Sequence, residues 1–215
     1  MSVEAQDILT IPNAISAVGF GMVAKGTLQE GLDTPKGAGL VLTGRAFDLI
    51  DGHVARKLNQ SSDFGAQVDA VLDKAGVGLI LVEGVRRDII PKPIAAAAAT
   101  QNLANAFYAK ATKRKYPQQS LSPSREGKLS MWWVNMSFGS FTLSALARNQ
   151  ADNAEAVVQN GESLSEDRLK ELEEGRDFLR KTQTASKISG YVAAGVGLLY
   201  YGTRATYGYH KRYRS

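Results

Sequence analysis

Four aspartates at helical spacings inside an apolar stretch limit what this chain can become. From Asp48 the sequence reads Asp-Leu-Ile-Asp-Gly-His-Val-Ala-Arg, and after eight further residues Gly-Ala-Gln-Val-Asp-Ala-Val-Leu-Asp, ending at Asp73. Asp48 and Asp51 are three apart, while Gly65, Asp69 and Asp73 are spaced by four and form one helical stripe. Phe47, Leu49, Ile50, Val54, Val68, Val71 and Leu72 leave little polar face apart from the acids themselves. A solvated helix face, the ordinary home of acids so spaced, therefore fits poorly. A carboxylate in apolar surroundings is costly unless a cation, a partner or strong hydrogen bonds offset its desolvation.

Between the two halves, Leu58-Asn59-Gln60-Ser61-Ser62-Asp63 is a polar turn in which Ser62 or Asp63 can cap the second helix. The expectation is a helical hairpin with an aspartate pair on each arm, and antiparallel arms let the four carboxylates face one another. Their repulsion calls for a positive charge between them. Hard divalent cations take oxygen ligands and are commonly held by a few carboxylates plus substrate phosphates, which points to Mg²⁺ or Mn²⁺. No histidine or cysteine joins the cluster, so zinc is not expected, and His53 points away from the stripe. Gly52 and Gly65 leave room for a flat or phosphorylated ligand to approach the backbone. Arg56 lies one or two turns from the acids, suited to a phosphate oxygen.

At these residues the chain resembles the CDP-alcohol phosphotransferases, whose signature is D-x2-D-G-x2-A-R-x8-G-x3-D-x3-D. Asp48, Asp51, Gly52, Ala55, Arg56, Gly65, Asp69 and Asp73 match it without gap or substitution. The resemblance implies an all-α integral membrane enzyme of six transmembrane helices, with helices 2 and 3 as the active-site hairpin and residues 1–215 as a single domain. It implies transfer of a phosphatidyl group from CDP-diacylglycerol to a small polar alcohol, with release of CMP. Asp48, Asp51, Asp69 and Asp73 would hold the divalent metal, and Asp73 would also act as general base. Gly52, Ala55, Arg56 and Gly65 would line the cytidine diphosphate site. Dimers are common in the family, so a homodimer is compatible with the resemblance. Asn13, after Pro12 at the start of the first helix, matches a Pro-Asn of the family that lies near the nucleotide; capping by Thr10 is an equally sufficient account of that segment. Where the family commonly has an arginine six residues later, this chain has Gly19.

Asp73 is followed by Lys74, which is similar to the phosphatidylglycerophosphate synthase branch of the family and to related cardiolipin synthases. Ser124-Arg125-Glu126-Gly127-Lys128 resembles the Gly-Lys segment of those enzymes. Arg125 and Lys128 at a helix start suit an acceptor phosphate, and suit equally a role as basic anchors at a membrane surface. Arg45 would touch a phosphate or offset the acids. The acceptor expected first is glycerol 3-phosphate; an inositol phosphate or phosphatidylglycerol remains open.

Six apolar stretches, 11–28, 37–54, 66–85, 94–109, 131–147 and 188–201, are the expected spans. They are rich in Gly, Ala and Ser, which favours close helix packing in lipid, and most are more polar than a simple span of about 20 apolar residues. The mean hydropathy is slightly negative. Much of this comes from the charged segment 149–187, expected as an additional amphipathic surface helix with Leu164, Leu169, Leu172 and Phe178 loosely on one side. With the N-terminus in the cytoplasm, the basic clusters of 110–128 and of the tail (Lys211, Arg212, Arg214) fall inside, as do both termini and the aspartates. Arg86, Arg87 and Lys92 dissent, since they fall outside. Trp132, Trp133, Tyr200, Tyr201 and Tyr207 read as interfacial aromatics. No basic stretch precedes the first apolar run, so a cleavable signal peptide is not expected.

The net charge of +5 suits anionic lipid or nucleic acid. The basic residues gather in loops and tail without interleaved aromatics, so no nucleic-acid partner is expected. The alternative from another class is a non-catalytic, basic, membrane-associated helical protein.

Overall fold

The computed structural model describes the backbone of residues 10–57, 63–117, 124–160 and 165–214, with all side chains there except those at 48, 49, 51–53, 55, 56, 63–67, 69, 70, 212 and 213. Among the described residues all regular structure is helical. It forms six continuous rods, and each of the six apolar stretches lies within one of them. The chain divides into two compact units, Met1–Arg87 and Asp88–Ser215.

In the first unit, α1 (Ile11–Lys25) begins where the Asn13 N–H donates to Thr10 Oγ1 at 3.3 Å, with Pro12 in the first turn. It runs on through a π-helical segment, Gly26–Glu30, and stops at Gly31, whose φ of 91° favours glycine. Thr34 then opens α2 (Pro35–Lys57), accepting at Oγ1 from the Gly37 N–H at 3.0 Å. α1 packs on both α2 and α3 (Asp63–Arg86). The α1–α2 contact is nearly backbone on backbone. A Cβ at Gly19 would stand 2.9 Å from the Gly44 carbonyl oxygen and 3.0 Å from Phe47 Cβ, and a Cβ at Gly26 would press on the Gly37 carbonyl at 2.6 Å. The family's arginine at the Gly19 position has no room here.

The second unit holds α4 (Lys92–Lys115), α5 (Arg125–Gln159), α6 (Glu166–Ala194), a π-helical segment Gly195–Gly202 and α7 (Thr203–Arg214), the last three in one rod. Ser124 and Ser165 cap α5 and α6 by accepting from the Gly127 and Arg168 N–H groups. α5 and α6 pair through a repeated contact. Ser130, Ser137 and Ser144, seven apart, donate to the carbonyls of Gly197, Gly190 and Gln183 at 2.7, 2.9 and 2.9 Å. Each step of seven along α5 is answered by a step of seven back along the partner rod. A seven-residue period keeps one face of each helix on the shared seam, as in a coiled coil. Gly190 admits the Phe141 ring, which a Cβ would meet at 2.8 Å. Thr206 Oγ1 donates to Asn105 Oδ1 at 2.8 Å, tying α7 to α4.

Two expectations change. The charged segment 149–187 is not a separate surface helix: its described residues form about the last third of α5 and about the first three quarters of α6. Nothing breaks α5 after Arg148, and Arg180 on α6 pairs with Asp152 and Glu155 on α5 at 2.8 and 3.0 Å. Phe178 is 68% exposed and Leu169 37%, so these do not form a buried stripe; Leu164 lies outside the described residues. The second change concerns the spans. Among the described residues no helix is long and apolar enough to cross a membrane. The cause is visible in the rods, whose packed faces carry Ser, Thr, Gly and charged groups that lower the average over any window.

Candidate active site

Asp48 and Asp51 lie in the last three turns of α2, and Gly65, Asp69 and Asp73 in the first half of α3. The backbone at each of the eight motif positions is therefore helical, as the spacing requires. The side chains of Asp48, Asp51, Gly52, Ala55, Arg56, Gly65 and Asp69 lie outside the described residues. Asp73 is described and half-buried. Arg45 Nη1 donates to its Oδ1 at 2.6 Å, an ion pair between two partly shielded groups that joins α2 to α3. Of the two roles open to Arg45, the structure displays the one that offsets an acid.

Arg45 and Asp48 are three apart and share one side of α2. On α3 the stripe of Gly65, Asp69 and Asp73 continues through Gly76, Ile80 and Glu83. Gly76 lies against Val23 of α1, and Ile80 and Glu83 are buried, so the stripe follows the packed face of the helix. By register, Asp48 shares the side of α2 that carries Arg45, and Asp69 shares the stripe of α3 that carries Asp73. An all-carboxylate donor set on two such faces fits a hard divalent cation by its chemistry. Among the described residues no group of three or more His, Cys, Asp or Glu is gathered.

A second charged cluster sits at the other end of α3. Glu83, 4% exposed, accepts from Arg86 through both carboxylate oxygens at 2.7 Å and from Arg87 Nε at 2.6 Å. Arg87 Nη1 also donates to Asp33 at 3.0 Å and so ties the α1–α2 turn to α3. The hydrogen bond to Glu83 raises the pKa of both arginines above the ordinary guanidinium value. An acid followed by arginines at three and four residues is the helical signal of such a cluster in the sequence.

Asn13 lies in the first turn of α1, its N–H held by Thr10. Arg125 and Lys128 lie exposed in the first turn of α5, in the second unit.

The family model for CDP-alcohol phosphatidyltransferase matches residues 7–159, well over half of the chain and inclusive of the whole motif. The chain belongs to the CDP-alcohol phosphatidyltransferase family. It is therefore an enzyme of a phosphotransferase family, which transfers a phosphatidyl-type group from a CDP-linked donor in phospholipid biosynthesis, and whose members generally depend on a divalent metal. Neither the curated proteins nor the solved structures yield a match to this chain. The match ends at Gln159, so α6 and α7 lie beyond it.

Proposed function

We propose that this transferase moves the phosphatidyl group of CDP-diacylglycerol to glycerol 3-phosphate and releases CMP. The carrying observation is the unbroken motif on two consecutive helices within the family match, with Asp73 bridged to α2 by Arg45. A divalent cation, Mg²⁺ or Mn²⁺, bound by Asp48, Asp51, Asp69 and Asp73 would neutralise the pyrophosphate and raise the electrophilicity of the attacked phosphorus. Asp73 takes the proton of the acceptor hydroxyl, whose oxygen forms the new P–O bond while the bond to CMP breaks. Arg45 holds the Asp73 carboxylate in place for that transfer. Gly52, Ala55, Arg56 and Gly65 bind the cytidine diphosphate together with Asn13, and Arg125 and Lys128 bind the acceptor phosphate.

The same reading makes residues 1–215 one membrane-embedded domain of six spans, with the site and both termini in the cytoplasm and the bilayer as partner. Its support is the set of large apolar side chains left exposed, together with hydroxyls buried beside the apolar core. The buried residues include Ser16, Thr27, Thr112, Ser130, Ser137 and Ser144 beside many alanines, whereas Leu42, Val82, Leu103 and Leu199 are each at least 70% exposed. Small and hydroxyl-bearing residues inside with large apolar ones outside is the arrangement of helices packed in lipid. Lys74 and the Gly127-Lys128 segment favour glycerol 3-phosphate or phosphatidylglycerol over an inositol phosphate, and glycerol 3-phosphate is the acceptor proposed first.

The test offers labelled CDP-diacylglycerol with each acceptor in turn. Product with glycerol 3-phosphate alone supports the reading. Product only with an inositol phosphate or phosphatidylglycerol moves the enzyme to another branch of the family.

A further inference from the structure

The second unit contains a cavity of about 370 Å³ that none of the motif residues line. Its floor is the turn into α4, where Asp88 adopts a left-handed backbone with φ 54° and Ile89 and Ile90 are buried at 6% and 1% exposure. The two isoleucines anchor the turn, so the cavity is preformed rather than made by a loose loop. Three cations line it from three helices: Lys92 from α4, Arg148 from α5 and Lys187 from α6. Among the described residues none of the three makes a hydrogen bond or ion pair. One acid, Asp88, shares the wall, and no ion pair joins it to them. The contrast with neighbouring arginines is sharp, because Arg87 and Arg180 each have two acidic partners.

Three cations against a single acid leave the cavity with a net positive charge, which an anion relieves. The N-terminus of α4 adds to the field there: its first turn holds no acid and Pro91 provides no side-chain cap. Phe141 and Tyr191 form an apolar wall beside the cations, packed edge to face at 5.2 Å. Cations beside an aromatic wall suit a ligand with an anionic head and an apolar body. Arginine and lysine together favour phosphate as the head.

We infer that this cavity is a binding site for a phosphate-bearing anion, separate from the aspartate motif. It gives Lys92, one of the three basic residues that dissented from the charge pattern, a use; the other two, Arg86 and Arg87, are held by Glu83. The inference does not depend on the transferase reading.

The test measures binding to the full-length protein in neutral detergent, by native mass spectrometry, of short-chain phosphatidylglycerol and of zwitterionic short-chain phosphatidylcholine. Wild type is expected to bind the anionic lipid about tenfold more tightly, the scale of one or two charge-assisted contacts. The double variant Arg148→Gln/Lys187→Gln is expected to lose that preference, and Arg148→Lys to retain it. Lys92→Gln, at an exposed position, is expected to weaken it alone and serves if the double variant does not fold. Inorganic phosphate separates the sources: displacement of the lipid means that the free anion suffices, and no displacement means that the apolar body is required. Equal binding of the two lipids by wild type, or an undiminished preference in the folded double variant, would overturn the inference.

Discussion

Asp73 has the two features expected together on a shielded carboxylate. It is half-buried on the packed stripe of α3, and it is ion-paired across to α2 through Arg45 at 2.6 Å. If it is the base, Asp73→Asn keeps the shape and the hydrogen bond from Arg45 but cannot take a proton. Turnover should fall by roughly 10²-fold or more while helical content and detergent stability stay near wild type. Turnover near wild type would remove Asp73 from that role. The four aspartates were legible because acids at helical spacing with apolar flanks do not suit a solvated helix face. The partner of Asp73 was not, because Arg45 and Asp73 are 28 residues apart and meet through tertiary packing, with α1 lying against both helices.

Among the elements, α1–α2 and α5–α6 use different devices for the same end. On α1–α2, glycine backbones touch. Gly44→Ala would push a Cβ into the Gly19 carbonyl and Val23, and should cost about 1–3 kcal/mol in detergent unfolding, the range for overpacking. On α5–α6, serine hydroxyls reach backbone carbonyls. Ser137→Ala is expected to cost about 1 kcal/mol, and the triple change at 130, 137 and 144 a near-additive sum, because the three contacts are two turns apart. A triple variant as stable as wild type would show that the seam is held by packing alone. The six helices were legible from their apolar stretches. The serine seam was not, although its period of seven stands in the sequence, because a backbone carbonyl leaves no trace in the identity of the residue that supplies it. The extension of α5 and α6 past the apolar stretches was hidden for another reason: charge density says how a helix is solvated, not which helix it continues.

For the whole molecule, hydropathy and exposure point in different directions. No helix among the described residues has the apolar length of a simple span, yet several large apolar side chains are exposed and several hydroxyls are buried. Averaging over a window merges the two faces of a helix, so it does not register which face carries the exposed apolar side chains. Carbonate washing of membranes from cells that produce the protein should leave it in the pellet; release into the supernatant would count against embedding. The second unit and the first are chemically distinct, with the acids of the motif on one and the unpaired cations of the cavity on the other. The most direct measurement is CMP release from CDP-diacylglycerol and glycerol 3-phosphate by purified wild type and Asp73→Asn, each with Mg²⁺ and with EDTA. CMP released by wild type with Mg²⁺, and by neither the variant nor the chelated enzyme, is the expected result. Release that persists in Asp73→Asn, or that is indifferent to EDTA, would contradict a metal-assisted transfer at these aspartates.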